Sequence, residues 1–94
     1  MKLFKGKKTN PSLVEFIAHR NNGTFLSRRD RWDEAISAYR RAIRIKFDDA
    51  KTHYDLAIAY VMIEDRASAA KEHMILKNLD KYLAEKLSNK LLLE

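Results

Sequence analysis

The stretch DRWDEAISAYRRAI, residues 30–43, decides the fold, because a related stretch follows it at a fixed distance. The second stretch, EDRASAAKEHMILK, begins at residue 64, which is 34 positions after the first begins. Each opens on acidic and arginine residues and then places small or apolar residues at helical spacing, with Ala35 in register with Ala69. A period of 34 residues is typical of stacked helix-turn-helix units. Such a unit cannot bury its apolar face alone, and the stack presents an open groove.

The composition favours one helix-rich domain. The 94 residues are 46% apolar and 34% charged, with two glycines, one proline and no pattern that indicates a sheet. No cysteine is present, which excludes disulfides, thiolate catalysis and sulfur-ligated metals. We expect a cytoplasmic protein without a signal peptide or a membrane span, since no apolar run is long enough for either.

The net charge of +6 comes from the N-terminal end of the chain. Residues 1–31 carry eight lysines and arginines against two acids, whereas charges balance in residues 32–49 and again in residues 50–94. This asymmetry indicates a surface that contacts anions. The candidate contacts are Lys2, Lys5, Lys7, Lys8, Arg29 and Arg31.

Apolar residues at helical spacing predict five helices after a flexible basic tail over residues 1–11. Ser12 and Glu15 are predicted to form a capping box at the start of the first helix. The predicted helices cover about residues 12–29, 32–46, 50–63, 66–78 and 81–92. On the first helix Leu13, Phe16, Ile17, Arg20, Gly23 and Leu26 recur at helical spacing. On the other helices the residues expected to face the core are Ala35, Ile36, Tyr39, Ala42, Ile43, Leu56, Ala57, Ala59, Tyr60, Ile63, Ala69, Ala70, His73, Met74, Leu76, Leu83, Leu87 and Leu91.

Residues 16–92 resemble the tetratricopeptide repeat family. Gly23 stands at the family's small helix-contact position, and residues 30–36 look like its turn and the start of its second helix. The other matching residues are Leu26, Tyr39 and Ala42 in the first copy and Leu56, Ala57, Tyr60 and Ala69 in the second. The departures are His19 and His53 early in the first helices, Asn22, His73, Leu76, and Phe47 and Lys81 at usual proline positions.

The resemblance implies an all-α fold of antiparallel helix-turn-helix repeats, a small α-solenoid. The domain would span residues 12–94, with repeat 1 over 12–49, repeat 2 over 50–80 and a capping helix over 81–92. Members of this family are protein-interaction modules, so the expected function is a non-catalytic adaptor that binds a peptide or a partner helix.

The family binds partners in a concave groove lined by the first helix of each hairpin. Carried onto this sequence, and in agreement with helical phase, the groove residues are Arg20, Thr24, Arg28, Tyr54, Asp55, Ile58 and Met62, with Ser27 and Lys51 beside them. Arginines beside an aromatic, an aliphatic and a methionine suit an acidic or amphipathic peptide. Some members clamp a C-terminal carboxylate with paired asparagines. Thr24 and Asp55 occupy those positions here, so no such clamp is expected.

No catalytic residue, metal site or cofactor is predicted. His19, His53 and His73 do not fall at ligand spacing, and packing roles are expected for them. The acid pairs at residues 48–49 and 64–65 lie at predicted helix starts, where the helix dipole favours anions. No phosphate-binding glycine loop or nucleophile elbow occurs.

A row of arginines on the second helix is expected to form a solvated face of ion pairs. Arg40, Arg41 and Arg44 lie within helical reach of Glu34 and Asp48.

Two alternatives stay open at this point. The chain could be a basic accessory protein that binds nucleic acid or an anionic surface through residues 2–8 and 28–31. It could also be a self-associating scaffold, because the open side around Leu13, Phe16 and Ile17 needs a cover that the tail, a partner or a second copy could supply.

Overall fold

Five helices form the fold in the computed structural model, which describes residues 10–93. They are α1 (Pro11–Ser27), α2 (Trp32–Ile45), α3 (Ala50–Met62), α4 (Arg66–Leu79) and α5 (Lys81–Leu93). α1 pairs with α2 and α3 with α4, while α5 packs against both α3 and α4. The described residues contain no strand. The predicted all-α fold of five helices is therefore confirmed.

The 34-residue period is visible in the backbone of the two hairpin turns. Asp30 and Glu64, 34 positions apart, adopt the left-handed conformation, with φ of 59° and 63°. In the first turn the amide of Arg31 donates to the carbonyl of Leu26, and in the second the amide of Asp65 donates to the carbonyl of Tyr60, at 3.0 and 2.9 Å. Together with the shorter-range backbone hydrogen bonds of the same turns, these bonds form a Schellman motif. The motif ends the first helix of each hairpin.

The start of α1 differs from the prediction. The Asn10 side chain, not Ser12, caps the helix by accepting a hydrogen bond from the Ser12 amide at 2.9 Å, so the predicted capping box is wrong. Pro11 is the first helical residue, where its missing N–H and fixed φ are favourable. An asparagine followed by a proline is sufficient to start a helix, because the asparagine side chain caps the first free amides.

The first core cluster joins the two hairpins. Tyr39 of α2 extends this packing to α1, because its ring lies directly over the backbone of Gly23. The Tyr39 hydroxyl lies 3.2 Å from the Ser27 hydroxyl and 3.4 Å from that of Thr24, so its polar end is satisfied. The cluster consists of Leu26, Ala35, Ile36, Ala38, Tyr39, Leu56, Ala59, Tyr60, Val61 and Ala69.

A second core cluster forms where α5 closes the stack. Tyr54 and Ala57 of α3 and Leu76 of α4 pack against Ala84 and Leu87 of α5. The guanidinium of Arg66, at the start of α4, donates to the carbonyl of Leu91 near the end of α5 at 2.9 Å. α5 therefore runs antiparallel to α4 and covers the end of the second hairpin.

Several residues expected in the core lie at the surface. Ile63, Ala70 and Met74 are exposed, and His73 is half-buried, so their assignment to the core is wrong. Ile63 follows the last residue of α3 and turns outward with the chain. Ala70 and Met74 lie on the outer side of α4, because α5 takes up only the side of α4 that carries Leu76.

The three apolar residues on the open side of the first hairpin differ in their burial. Phe16 is buried at 3% exposure, whereas Leu13 and Ile17 are exposed at 46% and 38%. Within residues 10–93, only Phe16 of these three is therefore buried. This edge of α1 stays apolar.

Candidate functional site

A groove of about 360 Å³ is formed by residues of α1, α2, α3 and α5. We call it the concave groove. Its lining combines aromatic and aliphatic side chains with cations: Thr24, Ser27, Arg28, Trp32, Tyr39, Lys51, Tyr54, Asp55, Ile58 and Lys90. Its volume is near the lower end of the range for ligand pockets, about 300–1,000 Å³, so it fits a few side chains rather than a large cofactor.

The structure brings five of the seven predicted groove residues together. Thr24 and Arg28 come from α1, and Tyr54, Asp55 and Ile58 come from α3 at spacings that place them on one side of the helix. Ser27 and Lys51, expected beside them, also line the groove.

The other two predicted residues lie outside the groove. The guanidinium of Arg20 lies 5.3 Å from the centre of the Phe16 ring, one turn back along α1, in cation–π contact. Met62 is the last residue of α3 and is 52% exposed. Both have the right helical phase, but each lies more than one turn beyond the groove along the helix axis.

The sequence pattern missed two side chains of the groove. Trp32 enters from the start of α2, and Lys90 reaches it from α5. Trp32 belongs to the turn stretch and so was not expected among ligand-facing residues. Nothing in the sequence placed Lys90, because the position of the capping helix depends on tertiary packing.

Residues 28–63 match the family model described as TPR repeat. This match identifies a tetratricopeptide repeat within the chain and supports an assignment to that family. The matched segment contains α2, α3 and the turns beside them. Tetratricopeptide repeats are generally protein–protein interaction modules and are typically non-catalytic. No curated protein and no solved structure matches the chain.

Tyr54 is a wall of the concave groove rather than an exposed contact residue. It is only 6% exposed, because α5 covers its ring and the Lys86 ammonium lies 5.4 Å above the ring centre. Burial, followed by the charges of Asp55 and Tyr82, raises the pKa of the Tyr54 hydroxyl. This side chain therefore stays neutral and shapes the groove by packing.

The charges of the groove are unbalanced. The Lys51 ammonium contacts both oxygens of Asp55 at 2.8 Å, so the acid is already paired. Arg28 and Lys90 are the other charged residues of the lining. The groove therefore offers two cations beside an apolar surface.

The arginine row of α2 is not paired as predicted. Glu34 pairs with Arg31, and Asp48 pairs with Lys46 at 3.0 Å, so the expected ion pairs of the row are wrong. The hydrogen bond and the charge of Lys46 lower the pKa of Asp48. Within residues 10–93, no acid lies within ion-pair distance of the row, which consists of Arg40, Arg41 and Arg44. Each of the two acids pairs instead with a basic residue that is nearer to it in the sequence.

The candidate anion contacts fall into two groups. Lys2, Lys5, Lys7 and Lys8 lie outside the described residues. Arg29 lies 3.7 Å from the centre of the Phe25 ring, and Arg31 makes two hydrogen bonds to the Glu34 carboxylate. The charge of Arg31 is thus already balanced.

His53 connects the two repeats. Its Nδ1 lies 2.6 Å from Glu72 Oε1 and its Nε2 lies 2.7 Å from the carbonyl oxygen of Phe47. Both partners are acceptors, so this geometry favours the protonated imidazole, in which both ring nitrogens donate. Burial acts to lower the pKa of His53, but the bonds to Glu72 and Phe47 and the charges of Glu72 and Asp49 outweigh it and raise that pKa.

The described residues hold no cluster of His, Asp or Glu side chains suited to a metal ion. Across that same part of the chain, no helix is both long and apolar enough to cross a membrane.

Proposed function

We propose that the chain is a non-catalytic adaptor whose concave groove binds a peptide or a partner helix. One observation carries the proposal: Trp32 and Ile58 lie in the same groove as the cations Arg28 and Lys90. An aliphatic side chain of a partner would pack on the first pair, and a carboxylate would pair with the second. The ligand class that fits is an acidic or amphipathic peptide.

The groove is small, which sets the expected affinity. Ten residues line the groove, fewer than the roughly 20–30 residues and 800 Å² per partner of a standard interface. We therefore expect a transient, micromolar complex. The domain division into residues 12–49, 50–80 and 81–92 and the cytoplasmic location remain predictions.

The test is an affinity capture from the native lysate, with and without nuclease. The informative variant is Arg28→Glu, which reverses a groove cation. Its matched control is Arg29→Glu, which makes the same charge change on the next residue, outside the groove. We expect a defined protein to survive nuclease, to be lost with Arg28→Glu and to be kept with Arg29→Glu.

A second pair separates apolar contacts from charge. Ile58→Ala should weaken capture, whereas Met62→Ala should not, because Met62 lies outside the groove. Once a partner is captured, the fluorescence of Trp32 reports binding directly, since it is the single tryptophan of the chain. Material that is lost with nuclease and responds equally to both arginine variants would contradict the proposal and favour nucleic-acid binding through the basic end.

A further inference from the structure

A second cleft, of about 380 Å³, lies between the second helices of the two hairpins. We call it the convex cleft. It is lined by Arg40, Ile43 and Arg44 of α2, by His53, Leu56 and Tyr60 of α3, and by Ser68, Lys71, Glu72 and Ile75 of α4. It shares no residue with the concave groove. The two recesses are therefore separate sites.

Cations stand on both walls of the convex cleft. Arg40 and Arg44 come from α2, and Lys71 faces them from α4. In the stretch from residue 10 to residue 93, none of these cations lies within ion-pair distance of an acid. Glu72 is the one acid in the lining, and the His53 ring holds it at 2.6 Å. The cleft therefore presents a net positive charge to a ligand.

The floor of the convex cleft is apolar. Leu56 and Tyr60 are buried, Ile43 is half-buried, and Ile75 is 39% exposed at the rim. Such a floor takes aliphatic or aromatic side chains, and the flanking cations take carboxylates. The cleft thus matches a ligand that carries both kinds of group at short spacing.

We propose that the convex cleft is a second docking site, which binds an acidic amphipathic segment of a partner protein. Charge complementarity identifies this occupant, because cations on both walls select against basic or neutral segments. A second copy of the chain is disfavoured by its net charge of +6. Nucleic acid would use the cations but would leave the aliphatic floor without a partner.

This site would give the chain a second partner surface, which the concave groove alone does not provide. A module with one groove holds one ligand. An adaptor holds two at the same time, and two recesses that share no lining residue are suited to that role.

The probe for the test is a synthetic peptide of about 14 residues, with leucine at helical spacing and glutamate elsewhere. A matched peptide carries glutamine in place of glutamate. Each is titrated into the ¹⁵N-labelled chain at about 0.15 M salt, where the Debye length of about 8 Å limits distant charge effects. The backbone amides of Ser68 and Ile75 report the convex cleft, and those of Thr24 and Ile58 report the concave groove. A failure at either site is therefore seen separately.

Variants of α2 provide a matched control. Arg40→Glu reverses a cleft cation, whereas Arg41→Glu makes the same change at the next residue, which does not line the cleft. We expect Arg40→Glu to raise the Kd measured at the Ser68 amide by about tenfold. Arg41→Glu should change this Kd by less than about threefold, and Lys71→Glu on the other wall should repeat the effect of Arg40→Glu.

Four results would overturn the proposal. The first is no shift at Ser68 and Ile75 at a peptide concentration of about 1 mM. The second is equal binding of the glutamine peptide, and the third is an equal loss with Arg40→Glu and Arg41→Glu. The fourth is an oligonucleotide that displaces the peptide from the cleft at lower concentration, which would assign the surface to nucleic acid. Unfolding curves of each variant verify that it stays folded.

Discussion

The ring of Tyr39 lies on the backbone of Gly23, so close that a Cβ added to the glycine would be 2.5 Å from Tyr39 Cε1. Tyr39 is 2% exposed and its hydroxyl is held beside Ser27 and Thr24, so the ring has no room to move away. This contact sets the distance between α1 and α2. It also places the Tyr39 ring at the back of the concave groove.

Gly23→Ala should destabilise the fold by about 1–3 kcal/mol, because the added methyl group overpacks this contact. Helix propensity alone predicts the opposite, since alanine is favoured over glycine by roughly 0.8–1.0 kcal/mol. Thermal or urea unfolding decides between the two. Asn22→Ala is the control, because Asn22 is exposed on the same helix. An equal gain in stability in both variants would contradict the role of the contact.

Ala35→Leu and Ala69→Leu should each cost about 1–3 kcal/mol by the same mechanism. Both alanines are completely buried at corresponding positions of the two repeats. Ala70→Leu is the matched control, since Ala70 is the exposed neighbour on α4 and should leave the unfolding midpoint nearly unchanged. An unchanged melting temperature for Ala69→Leu would show that the hairpin is not closely packed there.

The hairpin turns carry non-glycine residues where glycine is usual. Glu64 has a φ of 63°, a conformation in which its Cβ crowds the backbone. Glu64→Gly should stabilise the chain by about 0.5–1 kcal/mol, because relief of strain exceeds the added entropy of the unfolded chain. Glu64→Ala retains the Cβ and should give no gain. A similar effect of both variants would indicate a charge effect in place of backbone strain.

The His53–Glu72 contact should make stability depend on pH. Because the pKa of His53 is raised in the folded chain, its contribution is complete below its unfolded pKa of about 6.5. The contribution is lost as pH rises through the folded pKa, so the free energy of unfolding should fall from about pH 6 towards alkaline pH. Urea unfolding across this range measures the slope.

Glu72→Gln should flatten that slope, since the charge and the strong acceptor of His53 are then removed. Glu85→Gln is the matched control, because it removes the same charge from an exposed position on α5. If the slope survives Glu72→Gln, another group is responsible for it.

A peptide bound in the concave groove should not be held by its terminal carboxylate. Asp55 stands where the clamping members of the family have an asparagine, and the nearby Lys51 ammonium is already paired with Asp55 instead of being directed at a ligand. Amidation of the C-terminus of a groove ligand should therefore change its Kd by less than about twofold. Binding that is abolished by amidation, measured by the fluorescence of Trp32, would contradict this.

Much of the fold was predictable because it depends on local signals. The period of 34 residues, the small residues and the turns at Asp30 and Glu64 are all set by neighbours in sequence. The exact start of α1 depended on a choice between two good caps, Asn10 and Ser12. Local patterns do not rank such competitors reliably.

The candidate site was predictable only in part, because its ends depend on packing between distant segments. Helical phase placed Thr24, Asp55 and Ile58 in the groove. It could not show that α5 covers Tyr54 and contributes Lys90, nor that Met62 lies past the end of the groove. Phase gives the side of a helix, and tertiary structure decides how much of that side a ligand can reach.

The shared turn geometry makes the chain extensible. Since the chain leaves α1 and α3 through the same Schellman motif, a further copy of residues 30–63 inserted after Ile63 should join both neighbours without new backbone strain. The insert would lengthen the concave groove by one first helix and leave α5 at the end of the array. Chains built in this way would differ only in the number of inserted copies, and that number would set the length of the groove.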